Sequence, residues 1–238
     1  MPGDGSAAPE RTDLLDTLAG AIASIRAEHV ARIAVDGVDA AGKTTMADEL
    51  VPLIRRRGRP VIRVSGDGFH RPQAERYARG ELSAQGYYHD AFDVEAIVEQ
   101  VLKPLGPGPT QRYRAAAFDV DRDEPAPDPV RFAPPSAVLV MDGVFLLKPE
   151  LVGLWEFSLF LEANESEVLR RAVARDGSRL GDAHVRERYE LRYLPAQRLY
   201  DVDVHPRQRA DVVIENSDPA SPLVTRMSSR AYELMRST

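Results

Sequence analysis

The residues Gly37-Val38-Asp39-Ala40-Ala41-Gly42-Lys43-Thr44 place two glycines, a lysine and a hydroxyl at the spacing G-x-x-x-x-G-K-[ST]. No other feature constrains the chain as tightly. Glycines at these positions let the backbone wrap round an anion, so that successive N–H groups and the N-terminus of a following helix point at it. A lysine placed next reaches the β- and γ-phosphates of a bound nucleotide, and the hydroxyl after it ligates Mg²⁺. The motif needs a strand before it and a helix after it. Arg32-Ile33-Ala34-Val35 is a β-like run, and Met46 to Arg57 has helical apolar spacing and is stopped by Gly58-Arg59-Pro60. Lysine is otherwise confined to Lys103 and Lys148, which makes Lys43 stand out. Gly37, Asp39, Ala40, Ala41, Gly42, Lys43, Thr44 and Thr45 are the expected nucleotide-phosphate ligands. Asp39 has two readings: it accepts a hydrogen bond from an acceptor hydroxyl, or it satisfies amides of its own loop.

The rest of the chain alternates short apolar runs with helical patterns. Runs expected as strands are Val61–Val64, Ala137–Met141, Phe157–Leu161 and Val212–Ile214. Helices are expected over a stripe through Leu14, Leu15, Leu18, Ile22 and Ile25, then at Asp93–Leu102, Ala183–Leu199 and Pro222–Met235. Residues 68–90 read as an irregular substrate-side segment, and 104–135 as loop with one strand near Tyr113 to Phe118. Such alternation implies an α/β fold, a parallel sheet with helices on both faces. Residues 1–10 read as a flexible tail, and 11–238 as one domain with a lid at about 170–192.

Composition narrows the function classes. A net charge of −6 argues against a nucleic-acid binder. The absence of cysteine excludes thiolate catalysis and disulfides. No apolar run is long enough for a membrane span, and Met1 to Arg11 lacks the pattern of a secretion signal, so a cytoplasmic protein is expected.

Phosphoryl transfer needs one carboxylate to orient or deprotonate the attacking hydroxyl and another to manage the metal. Asp67 and Asp142 follow predicted strands, at the end where open α/β sheets bind ligands. Asp67 is assigned the base role and Asp142, with Thr44, the Mg²⁺ side; each Asp-Gly pair also reads as a plain turn. His70 and His89 are weaker substrate candidates. Phe69, Tyr87, Tyr88, Tyr113 and Phe118 are read as acceptor-pocket aromatics or as core. Among the arginines of 170–192, Arg171, Arg175 and Arg179 are expected to meet the transferring phosphoryl group as a lid closes. The downstream arginines read as a solvated helix face, since Glu187 and Glu190 are interspersed.

With these residues in place, the chain resembles the uridine kinase-like branch of P-loop kinases, which includes pantothenate kinase and phosphoribulokinase. The likeness runs from Arg32 to Ile214. It is carried by Asp67-Gly68-Phe69 for the family's Asp-x-Phe and by His89-Asp90-Ala91-Phe92-Asp93 for a Pro-[Asp/Glu]-x-[Phe/Tyr]-Asp element whose proline is missing. Asp142-Gly143, Arg170 to Asp176, Tyr200 and Ala210 to Ile214 match later family positions. The resemblance implies ATP as phosphoryl donor, Asp67 as catalytic base, lid arginines on the phosphates, and a small-molecule acceptor with a hydroxyl, foremost a nucleoside. Lys43, Arg171 and Arg175 join Asp67 as catalytic residues, and a homo-oligomer is open because family members are often dimers or tetramers.

Two positions depart from the nucleoside pattern: Tyr87 stands where an Asp holds the ribose, and Phe118 where a His reads the pyrimidine. Asp67 to Pro72 is nearer the pantothenate kinase version of its motif. A pantothenate- or sugar-type acceptor is therefore the alternative. The loop also resembles that of thymidylate kinase, a nucleoside monophosphate kinase, but that family's Asp-Arg-[Tyr/Phe] element is not found. A GTPase switch would need Asn-Lys-x-Asp, which Asn216-Ser217-Asp218 does not supply. A non-catalytic nucleotide-binding module would need neither Asp67 nor the lid.

Overall fold

A computed structural model describes residues 11–108 and 110–236, so the expected tail at 1–10 lies outside the described residues. The centre of the fold is β1 (Ala31–Gly37), every residue of which is buried. It runs parallel to β3 (Val138–Asp142) on one side and β4 (Phe157–Glu162) on the other. β2 (Val61–Ser65) extends the sheet parallel to β3, and β5 (Val212–Glu215) extends it parallel to β4. An antiparallel strand, β6 (Leu223–Met227), closes the far edge, for an order β6-β5-β4-β1-β3-β2.

Alternation along the strands feeds two cores. Ile33, Val35, Val138, Val140, Phe157 and Leu159 pack beneath α1 (Arg11–Ser24) and α2 (Lys43–Arg56) with Leu18, Ile22, Met46 and Leu50. Ala34, Leu139, Met141 and Phe160 face the opposite layer with Phe69, Tyr87, Leu102, Phe145 and Tyr200. Because both faces are covered, the strands read as continuous apolar runs. Val35 and Ser65 both pair with Asp142, so β2 and β3 end level with one another while β1 runs on two residues, to Gly37, beside β4. That common edge is where the phosphate-binding loop, Asp67 and Asp142 emerge.

Several elements differ from the sequence expectation. Pro222 to Met235 is not one helix: it divides into β6 and α7 (Ser229–Arg236), with Ser228 Oγ accepting from Ala231 N at 3.1 Å as a cap. β-Branched Val224 and Thr225 and the free edge of β5 favour the strand. Residues 68–90 contain α3 (Ala84–Asp90), started by Ser83 Oγ accepting from Gly86 N at 3.0 Å. Residues 104–135 hold two short antiparallel pairings, Arg112–Tyr113 with Arg131–Phe132 and Phe118–Asp119 with Glu124–Pro125, rather than one strand.

The helix expected at Ala183–Leu199 forms as α5 (Asp182–Arg188), a π-turn over Tyr189–Tyr193, and α6 (Leu194–Val204). Pro195 has no N–H to return to the preceding turn, which loosens the ladder there. Pro104 stands in the same relation to a second π-turn, Val98–Leu102. Ahead of α5 runs α4 (Glu165–Leu180), and the two pack through Val168, Ala172, Val185 and Tyr189 against Val38 and Ala40 of the loop.

Away from the site, Arg32 is 4% exposed and places Nε and Nη2 on the Glu156 carboxylate at 3.0 and 2.7 Å. Its Nη1 donates to the Leu102 carbonyl at 3.0 Å, tying β1 to the layer beside it. Removing one partner leaves a buried, uncompensated charge. Glu156→Ala is expected to lose about 3–5 kcal/mol of unfolding free energy in urea, with nucleotide affinity unchanged because the pair sits at the opposite edge of the sheet.

Candidate active site

The loop after β1 is shaped by backbone that other residues cannot adopt. Gly37 has φ 146°, and a Cβ there would lie 2.2 Å from the Leu161 carbonyl oxygen of β4. Gly42 has φ 96° immediately before Lys43 opens α2, so the N-terminus of a 14-residue helix faces the cleft. The Asn216 amide, buried after β5, donates to the Ala41 carbonyl at 2.7 Å. Arg171 of α4 donates to the Asn216 and Ser217 carbonyls at 2.7 and 2.9 Å while its Nε holds Glu167. Lys43 Nζ donates to the Val38 carbonyl at 2.7 Å, which keeps the ammonium at the loop mouth.

Thr44 Oγ1 donates to Asp142 Oδ2 at 2.5 Å, and Arg63 Nη1 of β2 donates to Asp142 Oδ1 at 2.7 Å. The buried carboxylate thus joins the ends of β2 and β3 to the start of α2. Beneath the loop, Asp36 accepts from Gly37 N at 2.7 Å, from Leu147 N at 3.2 Å and from the Tyr200 hydroxyl at 2.5 Å. Burial pushes its carboxyl up to about 6, against the lowering effect of those hydrogen bonds and of Lys43.

The cleft has a volume of about 910 Å³. Of the sequence-predicted residues, the structure brings Asp39, Ala40, Gly42, Lys43, Thr44, Thr45, Asp67, His70, Tyr87, Asp142, Arg171, Arg175 and Arg179 to its walls. Asp39 is held by side chains of the facing layer rather than by amides of its own loop. Its two oxygens accept from the Tyr87 hydroxyl at 3.0 Å and from Gln197 Nε2 at 3.1 Å. Burial and the Asp39 charge hold the Tyr87 phenol well above its usual range, so it stays a donor. Asp67 lies in the short turn Gly66–Phe69 after β2, with its side chain exposed to the cleft. His70 Nδ1–H donates to the Asp67 carbonyl at 2.9 Å and its ring lies 4.4 Å from Phe92; burial lowers its basicity. Arg175 and Arg179 lie at the rim and are mostly exposed.

Other candidates sit elsewhere. Gly37 and Ala41 support the loop from below the cleft surface. Phe69 is fully buried in the core, and Tyr113 and Phe118 are enclosed in the two short β-pairings, so none lines the cleft. Tyr88 points away: Lys148 Nζ, lowered to about 8 by burial, lies 4.2 Å over its ring and donates to its carbonyl. His89 rests against Tyr88 at 4.6 Å, also outside the cleft.

The sequence reading passed over a second group of arginines that line the same cleft. Arg192 is 2% exposed, with its guanidinium 4.8 and 5.2 Å over the Tyr77 and Tyr87 rings, and Arg188 donates to the Tyr77 and Tyr193 hydroxyls. The downstream arginines are therefore not one solvated face: Arg186 is exposed, whereas Arg188 and Arg192 turn inward. The signal in the sequence was Arg188/Arg192 and Tyr189/Tyr193, two pairs four residues apart, just before Pro195.

The glycine loop, the α2 N-terminus, Lys43 and Thr44 on this cleft suit the handling of a nucleotide's phosphates, and the class so defined is that of the P-loop kinases, ATP-dependent phosphotransferases with a hydroxyl acceptor. The chain belongs to the phosphoribulokinase / uridine kinase family, whose profile matches residues 32–218. It is 21% identical over 192 residues to a uridine kinase of Chlamydia pneumoniae, covering 76% of this chain and 84% of the relative. It is 21% identical over 209 residues to a uridine kinase of Leuconostoc citreum, covering 86% and 96%. Among solved structures, one described as a possible uridine kinase from Bacillus stearothermophilus matches with a TM-score of 0.68 at 24% identity, over 85% of this chain and 97% of that one. D-glycerate 3-kinase from Cryptococcus neoformans shares the fold with a TM-score of 0.58 at 12% identity, over 90% and 97%.

Asp36 makes a pH prediction. Its carboxyl sits at about 6 when folded against 3.8 as the reference, so the folded chain binds this proton more tightly. That contribution is fully present below the unfolded value and is lost as pH rises through the folded one, a change of about 3 kcal/mol. Urea unfolding of the protein and of Asp36→Asn between about pH 4 and pH 7 is expected to show the wild-type advantage falling with pH. A difference that stays flat would show that Asp36 ionises normally.

Proposed function

We propose that the protein transfers the γ-phosphoryl group of ATP to a hydroxyl of a small-molecule acceptor in the cytoplasm, with Asp67 as the base. The observation that carries this reading is that the phosphate-binding loop, the exposed Asp67 carboxylate and the arginines of α4 and α5 open on one continuous cleft. Loop amides and the α2 N-terminus hold the phosphates. Lys43 exchanges the Val38 carbonyl for phosphate oxygens when nucleotide enters. Arg171 is occupied with carbonyls and stiffens the loop, whereas Arg175 and Arg179 are mostly exposed and ion-paired with Asp176, a pairing they exchange for the transferring group as the lid closes. Asp67 orients the acceptor hydroxyl and takes its proton as the phosphoryl group passes.

The donor set fits Mg²⁺. Thr44 gives its proton to Asp142 and so keeps its lone pairs for a hard cation. Among the described residues no cluster of three or more acidic or histidine side chains could hold a metal alone. Thr44, with Asp142 behind it, would hold the ion beside the nucleotide's phosphates, where it would neutralise charge on their oxygens.

A nucleoside acceptor is what the uridine kinase relatives suggest. The cleft itself favours the second reading, a non-nucleoside acceptor. Tyr87 spends its hydroxyl on Asp39, Phe118 is away from the cleft, and the facing wall is cationic.

Two substitutions test the chemistry. Asp67→Asn is expected to lower acceptor-stimulated ADP release by about 10²–10⁴-fold while the affinity for Mg²⁺-ATP stays the same. Near-normal turnover would remove Asp67 from the base role. Lys43→Ala is expected to abolish release and weaken ATP binding; if both survive, the loop is not the donor site. ATP binding with no release for any of uridine, cytidine, pantothenate, sugars or glycerate would favour a regulatory nucleotide-binding protein.

A further inference from the structure

Arg76, Arg188 and Arg192 reach one wall of the cleft from different stretches of chain, Arg76 from the segment after Asp67 and the others from α5 and its π-turn. Arg192 is 2% and Arg76 8% exposed. Among the described residues, the buried side-chain nitrogens and oxygens without a hydrogen-bond partner are Arg76 Nε, Arg188 Nε and Arg192 Nε. Native structures leave few such groups, since a buried donor without a partner loses its hydration with nothing in return. Three in one wall of a ligand cleft are a common feature of that wall rather than separate packing faults.

The local acids do not balance the cluster. Asp123 accepts from Arg76 at 3.1 Å, and Glu81 stands 3.8 Å from Arg188. Arg192 meets only carbonyl oxygens of Arg76, Glu81 and Ser83 and the faces of two tyrosines. Burial lowers the basicity of its guanidinium, as expected for a cation without a carboxylate partner. The Tyr77 and Tyr193 hydroxyls each accept from Arg188 and so keep their own protons for another acceptor. Guanidinium N–H groups and phenols together make this wall rich in donors, suited to planar or tetrahedral oxyanions.

We infer that this wall binds an anionic group of the acceptor, so that the substrate is a hydroxyl-bearing carboxylate or phosphate monoester rather than a neutral nucleoside. The inference rests on the phosphotransferase reading for the hydroxyl end. Asp67 would face that hydroxyl while Arg76 and Arg188 hold the anion, and the two attachments together would set which hydroxyl meets the γ-phosphate.

The test is calorimetric titration of the full chain saturated with Mg²⁺-ADP, which occupies the phosphate-binding loop. The probes are glycerol 2-phosphate, glycerate, glycerol and uridine, the first two separating the phosphate and carboxylate sources. At least one anion is expected to bind measurably and more than tenfold more tightly than glycerol. Arg188→Gln and, separately, Arg76→Gln should weaken it about tenfold or more, the loss of a charge-assisted hydrogen bond, with ADP affinity unchanged and a cooperative thermal transition retained. The inference is overturned by any of three results: neither anion binding more tightly than about 1 mM, uridine or glycerol binding as well as the anions, or both variants binding anion normally. It is also overturned if the variants weaken ADP as much as anion, because the wall would then serve the nucleotide. ADP release separates the two readings. Release stimulated by a neutral nucleoside alone sinks the anion site and leaves the kinase. Anion binding lost in the variants, with no release for any acceptor, does the reverse.

Discussion

The carboxylate of Asp142 decides how the cleft is assembled. Only 2% exposed, it would be costly to bury alone. Its two oxygens are instead satisfied by Thr44 from the first turn of α2 and by Arg63 from β2. Three neighbouring pieces of chain are thereby pinned at one height, the height set by the pairing of Val35 and Ser65 with Asp142 across the sheet. Arg63 passes the constraint on to Asp48 in the middle of α2 at 2.8 Å. The loop has little freedom left once these bonds and the Gly37–Leu161 approach are made. Pre-organisation of this kind is what lets backbone amides act on phosphate charge without reorganising.

A second buried network supports the loop from below. Asp36, Tyr200 and the Leu147 amide share hydrogen bonds with no exposed member, linking β1 to α6 and to the turn after β3. Lys148, one residue on, is half-enclosed by Tyr88 and Phe145. The same layer therefore carries both the floor of the nucleotide loop and the aromatic packing that seats Tyr87 against Asp39. The loop and the layer facing it are mechanically continuous through Asp39, which Tyr87 and Gln197 hold from α3 and α6.

The parallel sheet was legible because its strands are buried on both faces and read as unbroken apolar runs, and the loop was legible because its glycines and lysine are adjacent in sequence. β6 was not: Leu223 to Met227 is short, half-exposed and bulged between Val224 and Arg226, and only the free edge of β5 makes it a strand. The aromatics show the same limit. Phe69, Tyr87, Tyr113 and Phe118 look alike by composition, yet only Tyr87 reaches the cleft: the helix started at Ser83 carries it there, while Phe69 turns into the core after β2 and two local β-pairings enclose Tyr113 and Phe118. Arg188 and Arg192 were hidden behind the alternating charges of their segment. The π-turn before Pro195 alters the helical register that a charge pattern assumes.

By itself the sequence determined the chemistry available to this protein: a phosphate cradle, a carboxylate following each of two strands, and arginines placed on a later helical segment. Those properties depend on residue type and on spacing along a few consecutive positions, which local backbone geometry converts directly into structure. Tertiary structure alone decided which arginines face the cleft, that Asp39 is held by Tyr87 and Gln197, and that Arg76, Arg188 and Arg192 share the cleft with Asp67. Those outcomes depend on residues more than 40 positions apart meeting across the sheet's edge, where packing and desolvation, rather than local spacing, set the orientation of each side chain.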